Sequence, residues 1–179
     1  MSSIITLIGY RGCGKSSVGP LLAQRLQYDC VDSDDEIERV AGKSISDIFA
    51  DDGEATFRRM ETDVLNNLFS RRSLVVAAGG GAILSDLNRQ RMKEAGPVVW
   101  LQASAETLTS RIQHDESSDS RRPSLTGKSV LEEVADVLKS RLAQYSDAST
   151  IVVDADAGTP DEITDVIVSK IGSEFGEPA

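Results

Sequence analysis

The stretch GYRGCGKSS, residues 9–17, decides the fold. Gly9, Gly14, Lys15 and Ser16 fit the pattern G-x-x-x-x-G-K-[ST], and Ser17 follows. The apolar run ITLI (5–8) stands directly before it, and a helical pattern, Lys15–Gln27, directly after. Strand, glycine turn and helix in that order form the setting in which this motif holds a nucleotide's phosphates. Glycines let the backbone curl so that successive N–H groups point inward, and the helix adds the positive end of its dipole. Gly12, Cys13, Gly14, Lys15, Ser16 and Ser17 are therefore candidate nucleotide-binding residues, for ATP or GTP. In this motif Lys15 reaches the β- and γ-phosphates and the Ser16 hydroxyl ligates Mg²⁺. Pro20 falls inside the helical pattern, so a distorted second turn is expected.

Working outward, short apolar runs alternate with helical stretches. VVAA (75–78), VVWL (98–101) and TIVV (150–153) read as strands, and YDCVD (28–32) as a weaker one. Fully apolar runs of this length suit strands buried on both faces, hence a parallel sheet. Helical patterns cover 53–72, 85–95, 105–114, 129–145 and 160–171, with Ser85, Ser104 and Ser129 as N-caps and Pro160 in a first turn. The alternation predicts an α/β fold, helices on both sides of a parallel sheet. With no repeat or low-complexity linker, residues 1–179 read as a single domain.

The net charge is −10, which argues against nucleic acid or an anionic membrane as partner. No apolar run is long enough to span a membrane, and the run 4–8 lacks the basic start of a leader, so a cytoplasmic protein is expected. The two cysteines, Cys13 and Cys30, have neither a zinc-ligand nor a CxxC spacing and read as reduced thiols.

The segment DCVDSDDEIE (29–38) sets six carboxylates near the phosphate loop. Read as the end of an extended strand, Asp32 and Asp34 share one side of the chain. Phosphoryl transfer needs a charge partner for Mg²⁺ and a group to orient or deprotonate the attacking hydroxyl, and two carboxylates can divide those roles. Asp35, Glu36 and Glu38 read as the first turn of a following helix, where acids complement the dipole. In 53–72 the apolar face is Phe57, Met60, Val64, Leu65, Leu68 and Phe69, and Arg58 and Glu61 fall within it. In 129–145 Arg141 falls within a stripe that includes Val134, Val137, Leu138 and Tyr145. Two inward arginines and two inward aspartates point to a second ligand, an anion bearing hydroxyls. Gly79, Gly80 and Gly81 follow a strand and suit either close approach to a ligand or a tight turn. The polar stretch 114–127, with Arg122 before Pro123, suits a lid over the transferring phosphate.

Together these segments resemble the shikimate kinase family, within the nucleoside-monophosphate-kinase-like P-loop kinases. The resemblance covers residues 4 to about 155. It rests on GYRGCGKSS, the DSD of 32–34, ISDIFADDGEATFRRMET (45–62), GGG (79–81), RRP (121–123) and RLAQY (141–145). It implies a three-layer fold with a five-stranded parallel sheet of order 2-3-1-4-5, a substrate-binding region at about 33–61 and a lid at about 113–127. It implies transfer of the ATP γ-phosphate to the 3-hydroxyl of shikimate, in aromatic amino acid biosynthesis. By the same resemblance Asp34, Lys15 and Arg122 are catalytic, Asp34 binding the hydroxyl as base. Arg58, Gly80 and Arg141 bind shikimate, supported by Glu61, Gly79 and Gly81. Arg111 packs on adenine and Arg122 contacts phosphates. Mg²⁺ sits on Ser16 and, through water, on Asp32. A monomer is expected. The sequence departs from the family pattern at Ser124 and Ala143, and 154–160 offers no basic side chain beside adenine. A gluconate-type small-molecule kinase or a non-catalytic nucleotide-binding module are the alternatives.

Overall fold

The computed structural model describes residues 4–114 and 129–175. Its sheet has five parallel strands: β1 (Ile4–Ile8), β2 (Asp29–Asp32), β3 (Leu74–Ala77), β4 (Val98–Gln102) and β5 (Ile151–Asp154). Their order is β2-β3-β1-β4-β5, as expected. Thr6 pairs with Val76 on one side and Val98 on the other, so β1 lies at the centre and ends where the glycine loop begins. The described helices are α1 (Lys15–Leu26), α2 (Ser33–Ala41), α3 (Ile45–Asp51), α4 (Gly53–Phe69), α5 (Asp86–Ala95), α6 (Ala105–His114), α7 (Val130–Ala148) and α8 (Pro160–Phe175).

Strand periodicity divides the core into two layers. Ile4, Ile8, Leu74, Val76, Val98 and Trp100 face one cluster, filled by Ile37, Ile48, Phe57, Leu65, Leu68, Met92 and Tyr145 from α2–α5 and α7. Ile5, Leu7, Val75, Val99 and Leu101 face the other, filled by Val18 and Leu22 of α1, Leu108 of α6 and Ile167 of α8. Burial on both faces is why these strands read as unbroken apolar runs. Helix α7 contributes Val134 to the second cluster and Tyr145 to the first, so it bridges the two layers.

The caps act as read. Ser85 Oγ accepts from Asn88 N, Ser104 Oγ from Thr107 N, and Ser129 forms a capping box with Glu132.

Helix α1 runs from Lys15 to Leu26 with Pro20 inside it, and Pro20 and Ser16 both lie on its exposed side. Three other expectations need correction. Helix α3 lies within 45–51, where only a motif was read; Ser44 caps it by accepting from Asp47 N. Asp34 is not in extended chain. Asp32 ends β2 and its Oδ1 accepts from Asp34 N at 2.8 Å and Asp35 N at 3.4 Å, which starts α2 at Ser33. Glu38 lies beyond the first turn, and its Oε1 accepts from Ile45 N at 2.9 Å, joining α2 to α3.

Candidate active site

The segments that follow β1, β2 and β3 lie at the carboxyl end of the sheet, where parallel α/β sheets place their ligands. The loop after β1 is drawn tight by its own residues. Cys13 N donates to Tyr10 O at 3.1 Å, and the Cys13 thiol is buried against Gly9. Lys15 Nζ folds back and donates to Gly9 O at 2.7 Å and Tyr10 O at 3.3 Å. Gly14 caps α1 with φ of 103°, and Ser16 and Ser17 open the helix on its exposed side.

The glycine triplet after β3 is the centre of the second half. Gly79 N donates to the buried Ser33 Oγ at 2.9 Å, which fixes the first turn of α2 against the triplet. A methyl group on Gly79 would overlap the Asp34 carboxylate, and one on Gly81 would come within 2.5 Å of Arg58 Nη1. Gly80 faces the phosphate loop: a methyl there would lie 3.8 Å from Gly9 O and 3.9 Å from Arg11 N. On its other side, Gly80 O accepts from Arg141 Nη1 at 3.0 Å and from the Tyr145 hydroxyl at 3.5 Å. Asp34, Arg58 and Arg141, read from three separate segments, therefore converge on one turn.

Each arginine is held by a neighbour. Arg58 Nη1 donates to Glu61 Oε2 at 3.0 Å, and Glu61 is 1 % exposed. Glu54 Oε1 takes Arg58 Nη2 at 3.3 Å from the solvent side. A buried carboxylate one turn away orients the guanidinium. Arg141 lies one turn before Tyr145, whose ring stacks on Trp100 at 5.2 Å. Burial pushes the Tyr145 hydroxyl well above its usual range, so it stays a neutral donor. The apolar stripe had marked Tyr145 as core alone; its hydroxyl and the Ser33 hydroxyl are site-building groups that periodicity does not mark.

Asp32 is half-buried. Burial raises its pKa, and the neighbouring Asp34 raises it further, against the bonds from Asp34 N and Asp35 N. Such an acidic pair suits a divalent cation, which would relieve the charge. Among the described residues no group of three or more His, Cys, Asp or Glu side chains is arranged to hold a metal alone. A cation here would lean on phosphate oxygens and water, as Mg²⁺ does. Arg111 Nη2 donates to Ala155 O at 2.9 Å and Nη1 to Gly12 O at 3.4 Å, so it spans from the phosphate loop to the turn after β5. Arg122 lies outside the described residues.

The profile of the shikimate kinase family matches residues 11–172. The chain belongs to the shikimate kinase family. A shikimate kinase of Rhodopirellula baltica is 41 % identical over 96 % of this chain and 91 % of its own length. Shikimate kinase 2 of Sodalis glossinidius is 40 % identical over 96 % and 97 %. The structure of the Acinetobacter baumannii shikimate kinase, in complex with shikimate, superposes with a TM-score of 0.88 at 37 % identity, covering 97 % of this chain and 94 % of that one. A Sinorhizobium meliloti gluconokinase shares the fold alone, at TM-score 0.58 and 20 % identity over 96 % and 93 %. The family resemblance seen in the motifs thus extends over nearly the whole chain.

Proposed function

We propose that the crevice between the phosphate loop and the Gly79–Gly81 turn carries out the family's reaction, ATP-dependent phosphorylation of shikimate on the route to aromatic amino acids. The observation that carries this reading is the convergence of Arg58, Arg141 and Asp34 on one glycine turn that abuts Gly9. Two guanidiniums suit one carboxylate, and an aspartate beside them suits a hydroxyl on the same small molecule.

The phosphate chain of ATP lies over Gly12–Ser17, and Lys15 exchanges the Gly9 and Tyr10 carbonyls for β- and γ-phosphate oxygens. Ser16 and, through water, Asp32 are the residues that would hold Mg²⁺, which when bound offsets the charge of the phosphates. Arg58, Gly80 and Arg141 hold shikimate, with Glu61 keeping Arg58 in place. Asp34 binds the 3-hydroxyl and accepts its proton as the oxygen attacks the γ-phosphorus. The new O–P bond forms as the bond to the β-phosphate oxygen breaks, and ADP leaves. Arg111 flanks the adenine, and Arg122, outside the described residues, is the further candidate for a phosphate contact. We further propose a single-domain monomer working in the cytoplasm; no helix among the described residues is long and apolar enough to cross a membrane.

A coupled assay for ADP release, run with shikimate, gluconate and no acceptor, tests this reading. Shikimate-dependent turnover that disappears without Mg²⁺ is expected. A folded protein that binds ATP yet releases no ADP in response to shikimate would sink it.

A further inference from the structure

Helix α5 carries an arginine that the sequence motifs do not single out. The Arg89 side chain is only 13 % exposed, and each of its three guanidinium nitrogens donates a hydrogen bond. Nη1 donates to Ile83 O at 2.8 Å, Nε to Asp147 Oδ2 at 2.6 Å and Nη2 to Asp86 Oδ1 at 2.6 Å. The preceding residue, the buried Asn88, donates from Nδ2 to Ala82 O at 3.1 Å. Two consecutive residues of α5 therefore grip consecutive carbonyls of the 3-10 turn Ala82–Leu84, which begins where the glycine triplet ends.

The other end of the Arg89 contact leads back to the site. Asp147 lies in the last turn of α7, less than two turns after Arg141. Arg141 donates to Gly80 O, and Gly80 is three residues before Ile83. A closed circuit results, from Gly80 through Arg141, the end of α7, Asp147, Arg89 and Ile83 back to the triplet. Arg58 enters the same circuit through the space left at Gly81. Lys93 adds bonds to Asp147 O at 3.1 Å and Oδ1 at 3.2 Å, both to the end of α7 and neither to the triplet or its turn.

We infer that Arg89 is a positioning residue for the acceptor substrate: it ties the helix that carries Arg141 to the turn that seats Arg58, and so sets the separation of the two guanidiniums. The inference rests on the reading of the site given above. A planar fork is the side chain suited to this, since it holds a carbonyl and two carboxylates in fixed directions at once. Small displacements of a binding pair weaken recognition of one ligand and leave a remote one alone. The acceptor end should thus respond to Arg89 while the nucleotide end does not.

The test uses steady-state kinetics together with direct binding. Trp100 is the only tryptophan and stacks on Tyr145, which bonds Gly80, so its fluorescence reports occupation of the acceptor site. Arg89→Ala should raise the KM and Kd for shikimate about tenfold, with the KM for ATP within about twofold and kcat within about threefold. Arg89→Lys, which retains one link, should fall between, at about threefold. Lys93→Ala, which loses only outer contacts to Asp147, should leave the shikimate Kd within about twofold. A lowered thermal midpoint in Arg89→Ala with an unchanged shikimate Kd would mean a merely structural role and overturn the inference. An equal rise in both KM values would do the same. If Arg89→Ala fails to fold, Arg89→Lys and Asp147→Asn decide by the same readouts. A wild-type protein whose fluorescence ignores shikimate overturns the reading of the site and this inference with it; a wild-type response with unaltered variants overturns the inference alone.

Discussion

Two glycine-rich stretches border the proposed site, and they use glycine for opposite reasons. In the phosphate loop the need at Gly14 is conformational alone, whereas Gly9 and Gly12 add crowding to positive φ. Gly14 has φ of 103°, a value side chains rarely adopt, yet nothing lies within 4 Å of where its Cβ would stand. In the triplet 79–81 none of the glycines has positive φ, and the need is for room. The missing Cβ atoms of Gly79 and Gly81 are the spaces occupied by the Asp34 carboxylate and the Arg58 guanidinium. A conformational need is written into adjacent residues and appears as a motif. A need for room is written by side chains distant in sequence, so the triplet reads equally as turn or site until they are placed.

The comparison can be broken in several ways. The largest effect belongs to Asp34 itself: Asp34→Asn should lower kcat by about 10²–10⁴, the range for a lost general base, with ATP affinity retained in an equilibrium titration. Near-full turnover would remove Asp34 from the role of base. Gly79→Ala should give the same signature more weakly, a kcat loss of about 100-fold, because the added methyl displaces that carboxylate. Gly14→Ala should act at the other end and in the other manner. Forcing a side chain into that backbone costs about 1–3 kcal/mol, which should appear as ATP binding weaker by about tenfold with little change in shikimate affinity. If Gly79→Ala instead weakened ATP and Gly14→Ala weakened shikimate, the division between the stretches would be wrong.

Gly81→Ala should be milder, raising the shikimate KM about fivefold, since the end of the Arg58 side chain can give way. Its cycle with Arg58→Ala sharpens the point. Once the guanidinium is gone the methyl has space, so the two changes should be clearly non-additive. Additive losses would mean that Gly81 answers to backbone conformation after all.

The smallest effect lies outside the site, in the bonds that secure α2. Arg39, bonded to Glu36, holds the Glu36 carboxyl below the usual range, and Arg71, just after α4, adds to this. A depressed carboxyl stabilises the fold fully above its unfolded pKa, and that contribution is lost as pH falls through the lowered folded value. Arg39 and Arg71 are exposed, so solvent screens the cluster and its contribution is small. The thermal midpoint of the protein should therefore exceed that of Glu36→Gln at neutral pH, with the gap closing in acid. A gap independent of pH would mean packing, not charge.

Much of this was legible along the chain. The loop 9–17 is contiguous, so spacing alone carries its meaning. Alternation of apolar runs with helical patterns predicted the parallel sheet, because strands buried on both faces leave no polar positions. Arg58, Glu61 and Arg141 stood out because charge on an apolar helical face requires a partner. Asp34 was found for a reason that the structure replaces. It was read from strand alternation, but Asp32 caps α2 and turns the chain helical one residue earlier. Ser33 and Arg89 carried no mark, since a small hydroxyl or an arginine on a polar helix face is ordinary until its acceptor appears from another element.

By itself, then, the sequence determined which chemistry the chain can hold: a phosphate loop, paired acids, inward arginines and the strands and caps that carry them. Each depends on residues within a turn or two of one another. Only the tertiary structure decided where these groups meet. The hydrogen bond from Arg141 to Gly80, the room that Gly79 leaves for Asp34, and the tie from Arg89 to Asp147 join residues 45 to 61 positions apart. Contacts at that separation follow from the packing of helices on both faces of the sheet, and packing has no local signature in the chain.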